Sequence, residues 1–292
     1  MRLYTFLYQN QTRLGCENDG QLVDLTDAVG TNDMVQFIRQ GDAGLSAART
    51  YLSTAPAGLS FADVTLQAPV RPTTVWCSGL NYRSHVLENP TAKFLDEPRF
   101  FAKLANTITG PNQPIRHPGE RFMVDYEVEL AVVIGQTARR LMQQNAMAYV
   151  YGYTILHDVG ARYVQFKDNN EMMGKNFDTF CPIGPCIVTA DEIPNPETLR
   201  LSLMLNGQTM QDGSNEEWLF SLPRMLEWLT MACTLQPGDI LSTGTPQGIG
   251  YFQKPPVFLK PGDVCELTIP GIGTLTNPVV ADPYAFLTEP NS

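Results

Sequence analysis

The stretch that most limits what this chain can become is residues 123–135, MVDYEVELAVVIG. Its valines, its tyrosine and its unbroken apolar end read as a strand entering a buried sheet. Yet Glu127 and Glu129 stand inside it. Side chains two apart on a strand share a face, so these two carboxylates lie close together. At about 4 Å such a pair repels by roughly 4 kcal/mol at an effective dielectric of about 20. A third carboxylate raises the cost, and a cation turns it into a binding site. The expectation is a fold that gathers carboxylates around a divalent metal.

The chain has 292 residues, room for one large domain or two modest ones. Its formal net charge of -10 argues against nucleic acid and against an anionic membrane surface as main partners. Small anionic substrates stay open, because a local metal and a few lysines outweigh the global field. No apolar run has the length of a bilayer span, and the first residues show no cleavage site. Cys16, Cys77, Cys181, Cys186, Cys233 and Cys265 lie in mostly apolar contexts without a zinc spacing, and read as buried free thiols. A reducing, cytoplasmic location is the default expectation.

Residues 1–70 read as a small N-terminal α+β lobe. Three short strands are expected at 3–8, 12–17 and 21–25, a helix capped by Asn32 or Asp33, and a second helical run at 45–52. Residues 68–72 form the joint to a main domain, 71–292. There, TTVWCSG (73–79) reads as a buried strand opening into LNYRSHVLENP. His85 and Glu88 sit three apart, on one face if a short helix starts at Asn81 or Ser84. That pair is either a solvated helix face or an imidazole made basic and oriented by a carboxylate, as a general base requires. Lys103, among apolar neighbours, either snorkels to solvent or contacts an anionic ligand.

A second apolar strand, 149–156, runs into His157 and Asp158. Asp158 is placed to be a third oxygen ligand. Three carboxylates suit a hard cation, Mg²⁺, or Mn²⁺ or Ca²⁺, better than zinc. His157 is discounted as a ligand, since its side chain points away from that of Asp158 if the strand continues. Lys175 and Gln165 read, on their own, as a loop lysine and a surface amide. Asn206–Gly207 signals a hairpin, and Ser221 with Pro223 starts an amphipathic helix. TGTPQGIG (243–250) has the glycines that let backbone N–H groups approach an anion, without the lysine or spacing of a nucleotide loop. The tail after Asp282 reads as frayed. The tally is strand-rich with few helices, an α+β, mostly β fold with mixed strands.

Taken together and in order, these segments resemble the fumarylacetoacetate hydrolase family. The matches are GLNYRSHVLE (79–88), DYEVELAVVIG (125–135), HDVGARYVQ (157–165), GKNFDTFCPIGP (174–185), LNGQTMQDG (205–213) and PGDILSTGTPQGIG (237–250). The resemblance implies a fumarylacetoacetase C-terminal-like core of mixed β-sheet and β-roll, and a homodimer. It implies Glu127, Glu129 and Asp158 as metal carboxylates, and His85 with Glu88 as a dyad on a lid segment. Lys175, Lys103, Gln165 and Thr245 match positions that contact substrate oxygens, and we expect Arg83 to join them. Two departures stand out. Where the family commonly reads Asn-Asp-Val-Ser/Thr-Ala-Arg-Asp, this chain has Gly160 and Tyr163 in place of the hydroxyl and the second Asp. Residues 169–173 before Lys175 also differ in composition.

The chemistry so implied is metal-dependent hydrolysis of a C–C bond in a 2,4-dioxo acid, an acylpyruvate. Lys175 adds positive charge, and His85, oriented by Glu88, draws a proton from water. The departing carbanion is an enolate. The same enolate forms in one alternative, decarboxylation of an oxaloacetate-type 2-oxo acid, and the other, isomerisation or tautomerisation of unsaturated 2-oxo diacids, needs only proton shuttling. A non-enzymatic scaffold with a degenerate site is the remaining alternative.

Overall fold

The computed structural model describes residues 1–54 and 56–285, with Asp168 described by its backbone alone. Most of the expected tail beyond Asp282 lies outside the described residues. The fold is α+β and strand-rich, built on one large mixed sheet. In spatial order that sheet runs Gln21–Asp24, Gln11–Asn18, Arg2–Tyr8, Cys181–Thr189, Val150–His157, Val128–Ile134, Ile240–Ser242, Val75–Gly79, Arg99–Lys103. A five-stranded sheet of Gln208–Ser214, Arg200–Leu205, Val264–Ile269, Gly273–Ala281 and Ile115–His117 packs beside it. Among the described residues no helix is long and apolar enough to cross a membrane.

Val128–Ile134 lies at the heart of the large sheet because every one of its residues is apolar or a glutamate with a partner inside. All seven are buried. It pairs antiparallel with Val150–His157, Val128 opposite His157, and with Ile240–Ser242 on its other edge. Strands buried on both faces read as continuous apolar runs, which is how both neighbours read. The expected single strand at 123–135 is broken, however. Met123 takes a left-handed φ of 50°, Val124–Asp125 pairs with Gly160–Ala161 in a separate ribbon, and the long ladder starts only at Val128. That break lets Asp125 and Glu127 leave the sheet plane and face the segment that follows Asp158.

The first strand, Arg2–Tyr8, pairs with Cys181–Thr189, so the large sheet runs on past the boundary expected near residue 70. The helix Met34–Arg39 is capped by Asp33, whose side chain accepts from Val35 N at 2.8 Å. Its Phe37 and Ile38 share one core with Ala131 and Val133 of the central strand. All six cysteines are free, as expected.

Candidate active site

Strand ends from the large sheet converge on one cavity of about 270 Å³. Asp158 follows Val150–His157, and its N–H donates to Glu127 O at 2.9 Å, which ties the two acidic residues together through the backbone. Four carboxylates are buried here: Asp125, Glu127, Glu129 and Asp158. Three buried cations, Lys103, Arg162 and Lys175, face them. Lys175 Nζ bridges Glu127 Oε2 and Asp158 Oδ2, the latter at 2.9 Å. Arg162 donates from Nη2 to Glu127 at 2.6 Å and from Nε to Asp125 at 2.8 Å. Lys103 Nζ lies 2.7 Å from Asp158 Oδ1.

This leaves Glu129 as the one carboxylate of the four without a cation. Among the described residues it accepts from Ser242 Oγ at 2.5 Å and Gly244 N at 3.3 Å alone. Burial first, then the charges of Asp158 and Glu127, hold its carboxyl well above the usual range. Glu127 goes the other way: burial would raise it, but Arg162 and Lys175 outweigh burial and push it below the usual range. The same two acids hold the Lys175 ammonium above its ordinary range despite burial.

A divalent cation fits this donor set. Ligand atoms of Cys77, Glu129 and Asp158 lie within 4.8 Å of one another. Burial, then Asp158 and Glu129, push the Cys77 thiol well above its usual value, so the hard oxygen donors dominate. Asp158 Oδ1 has no aligned hydrogen bond. Glu127 stands beside this group with its oxygens on Lys175 and Arg162. His157, adjacent to Asp158, is fully buried, and neither ring nitrogen has a hydrogen-bond partner among the described residues. Burial lowers its pKa to about 3, keeping it neutral.

The sign of the Glu129 shift gives a stability test. A carboxyl raised on folding contributes stability that is complete below its unfolded value and lost as pH rises through its folded value. Without metal, urea-unfolding stability should therefore decline as pH climbs above the ordinary carboxylate range. Glu129→Gln should shrink that decline to the part that Asp239, also raised by burial, contributes, and should abolish the protection given by Mn²⁺. An unchanged pH profile in Glu129→Gln would place the unpaired charge elsewhere.

The dyad is formed. His85 and Glu88 lie on the short helix Arg83–Glu88, with His85 Nδ1 2.8 Å from Glu88 Oε2. That contact assigns the Nδ1 proton to the Glu88 bond and turns Nε2 to the cavity that His85 lines. Glu88 Oε1 accepts from Gly248 N at 2.7 Å, which docks the helix on the glycine-rich loop. The loop does approach anions, and they are the protein's own. Gly244 N reaches Glu129, Gly248 N reaches Glu88, and Gly250 N reaches Asp125 at 2.7 Å. Glycine is required at 248, with φ 106° and Met210 O 2.2 Å from where a Cβ would stand.

The remaining expected residues are placed differently from one another. Gln165 lines the cavity and accepts from Arg162 Nη1 at 2.8 Å. Thr245 also lines it, but its hydroxyl donates to Val128 O at 2.9 Å and accepts from Gln211 at 2.8 Å. Lys103 is not in the lining, and its ammonium serves Val159 O, Lys175 O and Asp158. Arg83 is exposed and sits over the Phe94 ring, 5.4 Å from its centroid. Sequence reasoning missed Arg162 and Asp125. The available signal was DYEVE, in which Asp125 is in phase with both glutamates, and an arginine four residues after Asp158.

Residues 74–280 match the model of the fumarylacetoacetate (FAA) hydrolase C-terminal domain. The chain belongs to the fumarylacetoacetate hydrolase family. It is a family enzyme, with relatives of several activities. Oxaloacetate tautomerase FAHD2A, mitochondrial, of Bos taurus is 43% identical over 276 residues, covering 91% of this chain and 87% of that one. The fumarylacetoacetate hydrolase of psychrophilic Exiguobacterium antarcticum superposes with a TM-score of 0.81 at 35% identity, covering 96% of this chain and 99% of that one. Maleylpyruvate hydrolase from Sphingobium sp. SYK-6, solved with manganese(II) and pyruvate, gives 0.82 at 30% identity, covering 97% and 100%. One expectation is overturned. The cytoplasmic location rested on free thiols and on seeing neither a cleavage site nor a bilayer-length run, and none of these carries an address, whereas the bovine relative is named as mitochondrial.

Proposed function

We propose that the enzyme is a tautomerase of oxaloacetate-like 2-oxo diacids, moving a proton between C3 and the 2-oxo oxygen. The observation that carries this is the 43% identity to an oxaloacetate tautomerase over nearly the whole chain. The site supplies what that reaction needs and little more. His85 Nε2 takes the C3 proton, and Glu88 steadies the imidazole that becomes charged. Arg162 and Lys175 line the cavity and present positive charge where the enolate oxygen develops. Gln165, fixed by Arg162, orients the substrate head. The proton on His85 returns to carbon or passes to oxygen, so the balance closes without water.

Glu129, Asp158 and Glu127 would hold Mg²⁺ or Mn²⁺, whose contribution is Lewis-acid stabilisation of charge on the 2-oxo oxygen. C–C hydrolysis is the second reading, favoured by the named hydrolases among the solved relatives. It uses the same base but needs a water aimed at a distal carbonyl.

The test is to follow enol loss of oxaloacetate with Mn²⁺ or Mg²⁺ present, and in parallel to assay pyruvate release from oxaloacetate and from acylpyruvates. Metal-dependent tautomerisation without pyruvate is expected. A higher kcat/KM for acylpyruvate cleavage would replace this reading with hydrolysis.

A further inference from the structure

Three permanent cations line the cavity: Arg99, Arg162 and Lys175. Two of them are locked to buried acids, as described. Arg99 is not. It opens the edge strand Arg99–Lys103, and its carboxylate partner among the described residues is Glu171, with Nη2 2.5 Å from Oε2. Glu171 opens the short helix Glu171–Gly174 and also lines the cavity. Its second oxygen accepts from Gln165 Nε2 at 3.4 Å, and Gln165 in turn accepts from Arg162. A continuous polar track thus runs from Arg162 in the centre through Gln165 and Glu171 to Arg99 at the mouth.

We propose that Arg99 selects diacids by binding the substrate's second carboxylate, and that Glu171 competes for that place. The inference rests on the 2-oxo diacid reading above. The charge layout requires something of this kind. Arg162 and Lys175 already hold buried acids, so their positive field serves the reacting end of a substrate, and a second carboxylate needs a cation at the other end. Glu171 is itself a carboxylate on Arg99, held in reach of the substrate-orienting Gln165, so it shows the geometry that a substrate carboxylate would adopt. The pair is exchangeable. The Arg99 side chain is half exposed, and such partly solvated ion pairs are weak. The backbone behind Glu171 is firm by contrast, because a Cβ on Gly174 would stand 2.8 Å from Gln165 Cα, so the two short helices pack without a gap.

The experiment measures direct binding of oxaloacetate and of pyruvate, by calorimetry with Mn²⁺ present, to wild type, Arg99→Met, Arg99→Lys and Glu171→Gln. Wild type should prefer oxaloacetate. Arg99→Met should lose roughly 10–100-fold in affinity for oxaloacetate, the scale of one charge-assisted hydrogen-bonded pair, and nothing for pyruvate. Arg99→Lys should recover part of the loss. Glu171→Gln should tighten oxaloacetate alone. Equal weakening of both ligands by Arg99→Met, or weakening of both by Glu171→Gln, would overturn the proposal and make the pair a surface strap. A wild type without preference for oxaloacetate would instead overturn the diacid reading beneath it.

Discussion

His85→Ala is expected to lower kcat for oxaloacetate tautomerisation by about 10²–10⁴-fold, the usual worth of a positioned general base. Divalent-metal affinity should stay where it is. The argument is geometric. His85 reaches the cavity with one nitrogen and is fixed through the other by Glu88, which Gly248 N holds from the loop side. No acid of the buried cluster is hydrogen-bonded to His85, so its loss leaves the bonds of Glu127, Glu129 and Asp158 in place, and Arg162 and Lys175 outrank it as charges on Glu127. Glu88→Gln should fall between wild type and His85→Ala, since an amide has one acceptor oxygen for the two donors His85 Nδ1–H and Gly248 N–H, and it loses the charge. Calorimetric Mn²⁺ binding and enol-loss kinetics on the same samples check both halves. Tautomerisation by His85→Ala at the wild-type rate would move the base to another group.

Much of this site is legible in the sequence because its chemistry violates the local pattern. Glu127 and Glu129 are conspicuous inside an apolar run, and Asp158 at the end of another. Apolar periodicity also places the strands Val75–Gly79 and Val150–His157 within a residue or two, and Asp33 as the cap of its helix, while the strand at 128–134 starts five residues later than its apolar run suggests. What escapes is what depends on long-range partners. Cys181–Thr189 is a central strand, yet Pro182 and Pro185 argue against one. The structure accommodates Pro185 at an irregularity, where pairing with Val150–His157 slips between Tyr153 and Ile155, and Pro182 sits opposite Thr109 of a short parallel pairing. The dual allegiance of Glu127 is equally invisible, because Arg162 and Lys175 lie 35 and 48 residues away in sequence. So is the use of the glycine-rich loop. Its composition predicts an anion, but only the fold shows that the anions are Glu88, Asp125 and Glu129.

Lys175→Met is expected to destabilise the metal-free protein by about 3 kcal/mol, the low end of the cost of breaking a buried ion pair. The low end applies because each acid it touches keeps another cation, Arg162 for Glu127 and Lys103 for Asp158. The same substitution should make the response to metal larger. In wild type, a cation entering between Glu129 and Asp158 must share Glu127 and Asp158 with the ammonium. In Lys175→Met it replaces a missing charge, so saturating Mn²⁺ should raise the urea midpoint more than it does in wild type, while catalysis stays impaired because the enolate loses its ammonium. Stability and activity then separate: metal restores the first and fails to restore the second. A Lys175→Met protein with the wild-type midpoint and no added response to Mn²⁺ would mean that the carboxylates do not form one electrostatic unit. The assignment of the cavity as a metal-assisted enolate site would fall with it.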